Sequence, residues 1–220
     1  MRFTFPLAAL AFSLAAGLSP VLAADCPVAN DLTAGILFTA GGGADTELHT
    51  RTGANTVETL YTGEDGQYFA LLEDGIYTVD SYMVEPDGSI DAGSRMKSRY
   101  IGPSEGLRIP PAGGVLEIQV ESSDTTGSRT ENARFEFSGP GQTMIGGCVY
   151  PAVFVDIYYT DTDPAWHEQR LYLPGLGTSI AVASGEVGSE TVYHLDSISA
   201  VGAPQPRKRP AHCATPQCRN

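Results

Sequence analysis

The stretch VLEIQVE at Val115–Glu121 decides the fold class of this chain. From Leu116 onward its apolar residues alternate with charged and amide side chains, and RFEFS at Arg134–Ser138 repeats the pattern. A period of two places the apolar residues on one face of a strand and the polar residues on the other. Both segments are therefore predicted to be half-buried antiparallel strands.

Further strands are predicted on both sides of these two segments. Turn sequences such as Glu73-Asp74-Gly75 separate them, and Gly and Pro, at 25 and 15 of 220 residues, are too frequent for a sustained helical period. The fold class expected is all-β, either an antiparallel sandwich or a curved open sheet, with two similar halves as an option. The further strands are Thr56–Tyr61, Tyr68–Leu72, Tyr77–Val84, Val153–Tyr159, Gln169–Leu173, Ser179–Ala183 and Thr191–Val201.

A resemblance between two segments of the chain favours an organisation into two similar halves. The pattern Tyr-x-x-Asp-Ser occurs at Tyr77–Ser81 and at Tyr193–Ser197. A cysteine also precedes a similar apolar segment in each half, Cys26 before Gly35–Thr39 and Cys148 before Val155–Thr160. A chance match is the alternative to a duplication. The predicted organisation is a signal peptide at 1–23, a β-rich first half at 24–122, a β-rich second half at 123–203 packed with the first, and a disordered, basic, Pro-rich tail at 204–220.

The N-terminus has the pattern of a secretory signal peptide. Arg2 supplies a positive charge, Leu7–Leu18 is almost continuously apolar, and small residues precede a predicted cleavage after Ala23, with Ala24 as the alternative site. The apolar run is about a dozen residues long, whereas a membrane-spanning helix needs about 20. We therefore expect a protein of the periplasm or a secreted protein that does not span the membrane.

Export changes how the four cysteines are interpreted, because oxidising compartments favour disulfides. Four cysteines allow three connectivities. We favour Cys26 with Cys148 and Cys213 with Cys218, since the second pair lies close together in the tail. Metal binding by His212, Cys213 and Cys218 is the alternative, but their spacing matches no zinc pattern, and no cofactor is expected.

The net charge of the chain limits the classes of partner that we expect it to bind. Its 26 acidic and 13 basic residues give a net charge of −13, so nucleic acid is not an expected partner. Arg95, Lys97 and Arg99 form a basic stripe on one strand face, which either pairs within the protein or receives an anionic group. This stripe and Trp166, the only tryptophan, are the candidate ligand contacts, although an aromatic residue on a strand also serves packing.

No catalytic residues are predicted. His194, Asp196 and Ser197 are the residue types of a hydrolase triad, but they are crowded on one strand whose neighbouring side chains face opposite ways. The acidic stretches at Asp161–Asp163 and Asp87–Asp91 do not follow a calcium-loop pattern. Such carboxylates are explained by turns.

At CVY (Cys148–Tyr150), RLYLPGLG (Arg170–Gly177) and CPVANDLTAGI (Cys26–Ile36), the chain resembles uncharacterised exported proteins of alphaproteobacteria. The likeness spans most of the chain after the signal peptide. It implies a periplasmic or secreted protein and implies no particular chemistry.

These observations favour a non-catalytic exported β-sheet protein of the bacterial cell envelope with a binding or structural role. A periplasmic carrier of a lipid or other hydrophobic ligand is the alternative, and it requires a continuous apolar concavity in the sheet. An envelope polysaccharide hydrolase is a third hypothesis, which requires a pair of carboxylates in a cleft. The expected partner is thus an envelope polymer or a hydrophobic ligand.

Overall fold

A computed structural model describes residues 26–102, 109–161 and 164–202 of the chain. The predicted signal peptide at 1–23 and the predicted tail at 204–220, with Cys213 and Cys218, lie outside these residues. In the described ranges, no helix combines the length and the apolar character needed to cross a membrane.

The described chain is nearly all antiparallel β-structure and forms one large open sheet, as the all-β prediction anticipates. Two short 3-10 helices, Ala29–Thr33 and Gly41–Gly43, flank the first strand. The strands are β1 (Ile36–Ala40), β2 (Asp45–Arg51), β3 (Thr56–Gly63), β4 (Gly66–Glu73), β5 (Tyr77–Val84), β6 (Met96–Ile101), β7 (Val115–Asp124), β8 (Gly127–Phe137), β9 (Gly141–Ile145), β10 (Cys148–Tyr159), β11 (Trp166–Leu173), β12 (Thr178–Glu186), β13 (Thr191–Val192) and β14 (Leu195–Ala200).

The strand order is β13-β12-β11-β10-β8-β7-β6-β5-β4-β3-β2-β1-β14. Strands β1 to β8 therefore form a meander in which each strand pairs with the next. Strand β9 lies off this path and pairs with the first part of β10, while the last part of β10 pairs with β8. The final strand returns to the beginning of the chain, because β14 pairs with β1.

The segment Thr191–Val201 differs from the prediction of one continuous strand. It contains two strands, since β13 pairs with β12 whereas β14 pairs with β1 at the opposite end of the sheet. Alternation in a sequence predicts a strand but not which neighbour it joins. Val192 and Leu195 are three residues apart, so their Cα atoms lie within about 11 Å and the sheet must curve strongly.

The boundary between the predicted halves falls inside a hairpin. Strands β7 and β8 pair continuously from Val115 with Glu136 to Asp124 with Gly127. The polar segment Ser122–Glu131 therefore contains the end of β7, the start of β8 and the turn between them. The two segments that share the Tyr-x-x-Asp-Ser pattern belong to the same sheet.

Two clusters of buried side chains form the core. The first draws on β1, β3, β4, β9 to β12 and β14, with Leu32 from the first 3-10 helix, and the second draws mainly on β7, β8 and β10. Cys26 and Cys148 form a disulfide with a Cα–Cα distance of 5.5 Å, which confirms that pairing. Beside it, the Tyr150 hydroxyl donates a hydrogen bond of 3.1 Å to the Pro27 carbonyl oxygen.

Candidate ligand-binding cavity

The curved sheet holds a cavity of about 1060 Å³, a volume at the upper end of small-molecule sites. Every strand of the described ranges except β9 contributes to its lining. The lining combines rings and apolar side chains with a set of charged ones. The aromatic members are Phe38, Tyr61, Tyr68, Tyr100, Tyr159, Trp166 and Tyr193, and the charged members are Asp45, Glu47, Asp65, Arg129, Glu131, Glu168, Arg170 and Glu186.

The lining residues differ in solvent exposure, and we call the buried ones the floor of the cavity and the exposed ones its rim. Floor residues such as Arg170 and Glu131 are each 7% exposed. At the rim, Trp166 and Tyr193 are 42% and 40% exposed. We therefore describe the cavity as a bowl with an aromatic rim and a charged floor.

Arg170 is the centre of the floor. Its guanidinium donates to a carboxylate oxygen of Glu168 on the same strand and, at 2.8 Å, to the hydroxyl of Ser179 on β12. A further bond of 3.1 Å reaches the Ser179 carbonyl oxygen. Burial disfavours the charged form, but the carboxylates of Glu168 and Glu47 outweigh it and hold the pKa of Arg170 above its ordinary value.

A second group of hydrogen bonds joins Glu47 and His49 on β2. Nε2 of His49 donates to Glu47 Oε1 at 2.9 Å, and Nδ1 lies 2.7 Å from the Thr178 hydroxyl. Burial raises the pKa of Glu47, but His49, Arg170 and the Thr59 hydroxyl together lower it below its ordinary value. Glu47 is therefore an ionised carboxylate at neutral pH.

Glu131 and two tyrosines complete the floor. Glu131 Oε1 accepts a hydrogen bond of 3.2 Å from the Ser122 hydroxyl on the neighbouring strand. Burial and the nearby Glu168 raise the pKa values of Tyr100 and Tyr159. Both phenols are therefore protonated at neutral pH, and the Tyr100 hydroxyl donates a hydrogen bond of 3.2 Å to the Thr78 carbonyl oxygen.

The rim presents polar groups beside its rings. Tyr61 donates a hydrogen bond of 2.9 Å to Asp45, and burial together with this carboxylate raises the pKa of Tyr61 to about 12. The hydroxyl oxygens of Tyr193 and Ser184 lie 2.9 Å apart. Trp166 lies at the start of β11, two residues before Glu168, so one strand runs from rim to floor.

The four predicted ligand contacts lie in different places. Trp166 lines the cavity. Arg95, Lys97 and Arg99 are not among the lining residues; the cavity is lined instead by Met96, Ser98 and Tyr100, which alternate with them on the same segment. Arg95 forms an ion pair with Asp80, and Arg99 with Glu121. The structure thus does not bring the basic stripe together with Trp166.

The other polar clusters serve local structure. Asp161 accepts hydrogen bonds from the backbone and side chain of Asn132, and Asp87 accepts one from the Ser89 amide. Asp196 accepts one from the Gly42 amide, and the Ser197 hydroxyl lies 2.7 Å from that of Thr39. Over residues 26–102, 109–161 and 164–202, no group of three or more His, Cys, Asp or Glu side chains is arranged to hold a metal ion.

Comparison with known proteins gives few matches. No family model matches the chain, and no curated protein matches it. Among solved structures, the crystal structure of the hypothetical lipoprotein YmcC from Escherichia coli (K12) is similar, with a TM-score of 0.40 and 11% sequence identity. The similarity covers 76% of this chain and 86% of that chain.

Proposed function

We propose that this chain is an exported, non-catalytic protein of the cell envelope that binds its ligand in the cavity of the curved sheet. The observation that carries the proposal is the bowl itself, with its charged floor and aromatic rim. A sheet that served only as a scaffold would gain stability by filling this volume with side chains. Hydrogen bonds hold the floor groups in place, as expected of a preorganised site.

Two observations support export. The N-terminal sequence has the pattern of a signal peptide, and Cys26 pairs with Cys148. Disulfides persist in oxidising compartments such as the periplasm and the cell exterior. The predicted location is therefore the periplasm or the exterior of the cell.

Trp166 provides a direct test, because it is the only tryptophan of the chain and lines the cavity. We expect the intrinsic fluorescence of the protein, purified from the periplasm of an expression host, to change saturably with ligands that combine a polar group with apolar surface. Native mass spectrometry measures the stoichiometry, expected to be one ligand per chain. Absence of binding across amphiphiles, oligosaccharides and peptides contradicts the proposal.

A matched pair of variants locates the binding. Ala181→Phe places a ring in the cavity, whereas Ala112→Phe places the same ring on an exposed turn. Both keep Trp166 as the single tryptophan, whose fluorescence can be excited selectively above the tyrosine absorption. We expect Ala181→Phe to abolish binding and Ala112→Phe to leave it unchanged, and equal binding by both variants contradicts the cavity as the site.

A carrier of a purely hydrophobic ligand is the second candidate, favoured by Met83, Met96, Ile180 and Leu195 in the lining. An apolar ligand that covered the charged floor would remove water from those charges without replacing its hydrogen bonds, which costs free energy of binding. We therefore favour an amphiphile over a hydrocarbon. Competition between an alkane and an amphiphile of equal chain length for Trp166 quenching distinguishes the two.

An envelope polysaccharide hydrolase is the third candidate, favoured by the three carboxylates of Glu47, Glu131 and Glu168 in one cavity. Two of them are bound to His49 and Arg170, which fits structural anchoring as well as chemistry. Release of reducing ends from cell-envelope polysaccharide measures this activity. Activity that is lost in Glu131→Gln or Glu168→Gln contradicts the non-catalytic proposal.

A further inference from the structure

We infer that the ligand of this cavity carries a positive charge, an ammonium or guanidinium group, next to apolar carbon; the inference rests on the proposed binding function. Among the residues that the structure describes, six carboxylates and two guanidinium groups line the cavity. Such side chains are ordinarily ionised at neutral pH, so this part of the lining has an excess of negative charge. A cleft with one sign of charge attracts ligands of the opposite sign and repels those of the same sign.

Both arginines are already engaged by the protein. Arg170 donates to Glu168 and to two oxygen atoms of Ser179. Arg129 lies 3.5 Å from the carboxylate of Asp124 and donates to the sulfur of Met96. An anionic ligand at either arginine would have to displace these partners. A cationic ligand meets the same obstacle at Glu47 and Glu168, which His49 and Arg170 already bind, but not at every carboxylate of the lining.

Glu131 is the carboxylate best placed to meet a cation at the floor. It is 7% exposed and accepts one described hydrogen bond, from Ser122, whereas an ionised carboxylate has about four acceptor positions. Its neighbour in the lining, Tyr159, adds a ring. Aromatic faces carry partial negative charge and attract cations, so ring and carboxylate favour the same ligand group.

Apolar side chains define the other part of the ligand. Met83 and Met96 line the cavity from β5 and β6, and Leu195 lines it from β14. Methionine adapts its shape to irregular apolar ligands. The ligand class that satisfies both kinds of lining is a cationic amphiphile, such as an alkylammonium compound or a peptide with basic and apolar side chains.

Three probes with the same chain and different head groups test the charge: decyltrimethylammonium, decyl glucoside and decanoate, each below its micelle concentration. Trp166 fluorescence and calorimetry on the full exported chain measure the dissociation constants. We expect decyltrimethylammonium to bind at least about tenfold more tightly than decanoate, with an advantage that shrinks as salt is added. Equal or tighter binding of decanoate overturns the charge inference but leaves the binding function intact. Absence of binding by all three overturns the inference of a cationic amphiphile, and the binding of oligosaccharides and peptides then decides the proposed function.

The variant Glu131→Gln tests whether Glu131 contacts the positive charge of the ligand. Its control is Glu136→Gln on the same strand, because Glu136 pairs with Arg134 and does not line the cavity. We expect Glu131→Gln to weaken decyltrimethylammonium about tenfold, the value of one hydrogen bond to a charged group, and to leave decyl glucoside unchanged. Equal effects of the two variants, or equal effects on the two probes, overturn the assignment. If Glu131→Gln does not fold, Glu186→Gln at the exposed rim replaces it with the same expectation of direction.

Discussion

The hydroxyl of Ser179 donates a hydrogen bond of 2.7 Å to the carbonyl oxygen of Gly75, which lies 104 residues earlier in the chain. Gly75 belongs to the turn between β4 and β5, whereas Ser179 belongs to β12, and these strands are not neighbours in the sheet. Because Ser179 also accepts a hydrogen bond from Arg170, the turn is connected to the floor of the cavity.

Replacing Gly75 by alanine tests this connection. A Cβ atom at Gly75 would lie 2.4 Å from the Gly177 carbonyl oxygen, and the residue has a φ of +69°. The matched control is Gly88→Ala, because Gly88 also has a positive φ, +83°, but has open space around the added atom. We expect urea denaturation to show a loss of about 1 kcal/mol for Gly88→Ala and about 2 to 4 kcal/mol for Gly75→Ala. Equal losses of stability for the two variants would mean that the Gly75 turn moves away from Gly177 without cost, and would contradict a tight contact between these two turns.

Replacing Arg170 by methionine is expected to lower the free energy of unfolding by about 3 to 5 kcal/mol, because it leaves buried carboxylates without their cation. Arg99→Met is the control, since Arg99 forms an exposed ion pair with Glu121 that contributes at most about 1 kcal/mol. Chemical denaturation at pH 7 measures both. A loss below 1 kcal/mol for Arg170→Met contradicts the central role given to this residue.

Acidification is expected to destabilise the protein through Glu47. Its folded-state pKa lies below the ordinary value of 4.5, so its contribution is fully present above pH 4.5 and is lost as the pH falls through the lowered folded pKa. Urea denaturation between pH 7 and pH 3 measures the decline. Glu47→Gln should be less stable at pH 7 and should show a shallower decline, and parallel curves for the two proteins contradict this assignment.

Replacing Cys26 and Cys148 together by serine is expected to lower the free energy of unfolding by about 2 to 5 kcal/mol, because the disulfide closes a loop between residues 122 positions apart. Thermal and chemical denaturation with and without reductant measure the effect. The control is the Cys213→Ser, Cys218→Ser variant, whose predicted pairing closes a much shorter loop and should contribute less. A larger loss in the control than in the first variant contradicts the predicted connectivity.

Strands and turns were predictable from sequence because each depends on local pattern. The alternation at Val115–Glu121 reappears as the burial pattern of β7, and Asp74-Gly75 forms the turn before β5. The pairing of Cys26 with Cys148 was also predictable, from the expected export and from the similar segments that follow the two cysteines in the sequence. The break at Tyr193 and His194 was not, because it depends on which end of the sheet each part joins.

The charged floor of the cavity could not be predicted from the sequence, for a physical reason. Glu131 lies on the same face of β8 as Phe135 and Phe137, yet a charged residue on a strand is ordinarily assigned to the solvent side. On β11 both faces are covered, with Leu171 and Leu173 in the core and Arg170 in the cavity floor. Charged residues that continue an apolar face are the signal that would have located the floor.

The pairing of Ile36 with Ala200 has a consequence for biosynthesis. Strand β1 leaves the ribosome before the other strands of the described chain, yet one of its edges stays without its partner β14 until that strand follows, more than 150 residues later. An unpaired strand edge invites association with other chains, and distant pairings form slowly. A nascent chain of this protein is therefore exposed to aggregation until β14 has been synthesised, which gives chaperones that keep it extended a protective role before folding.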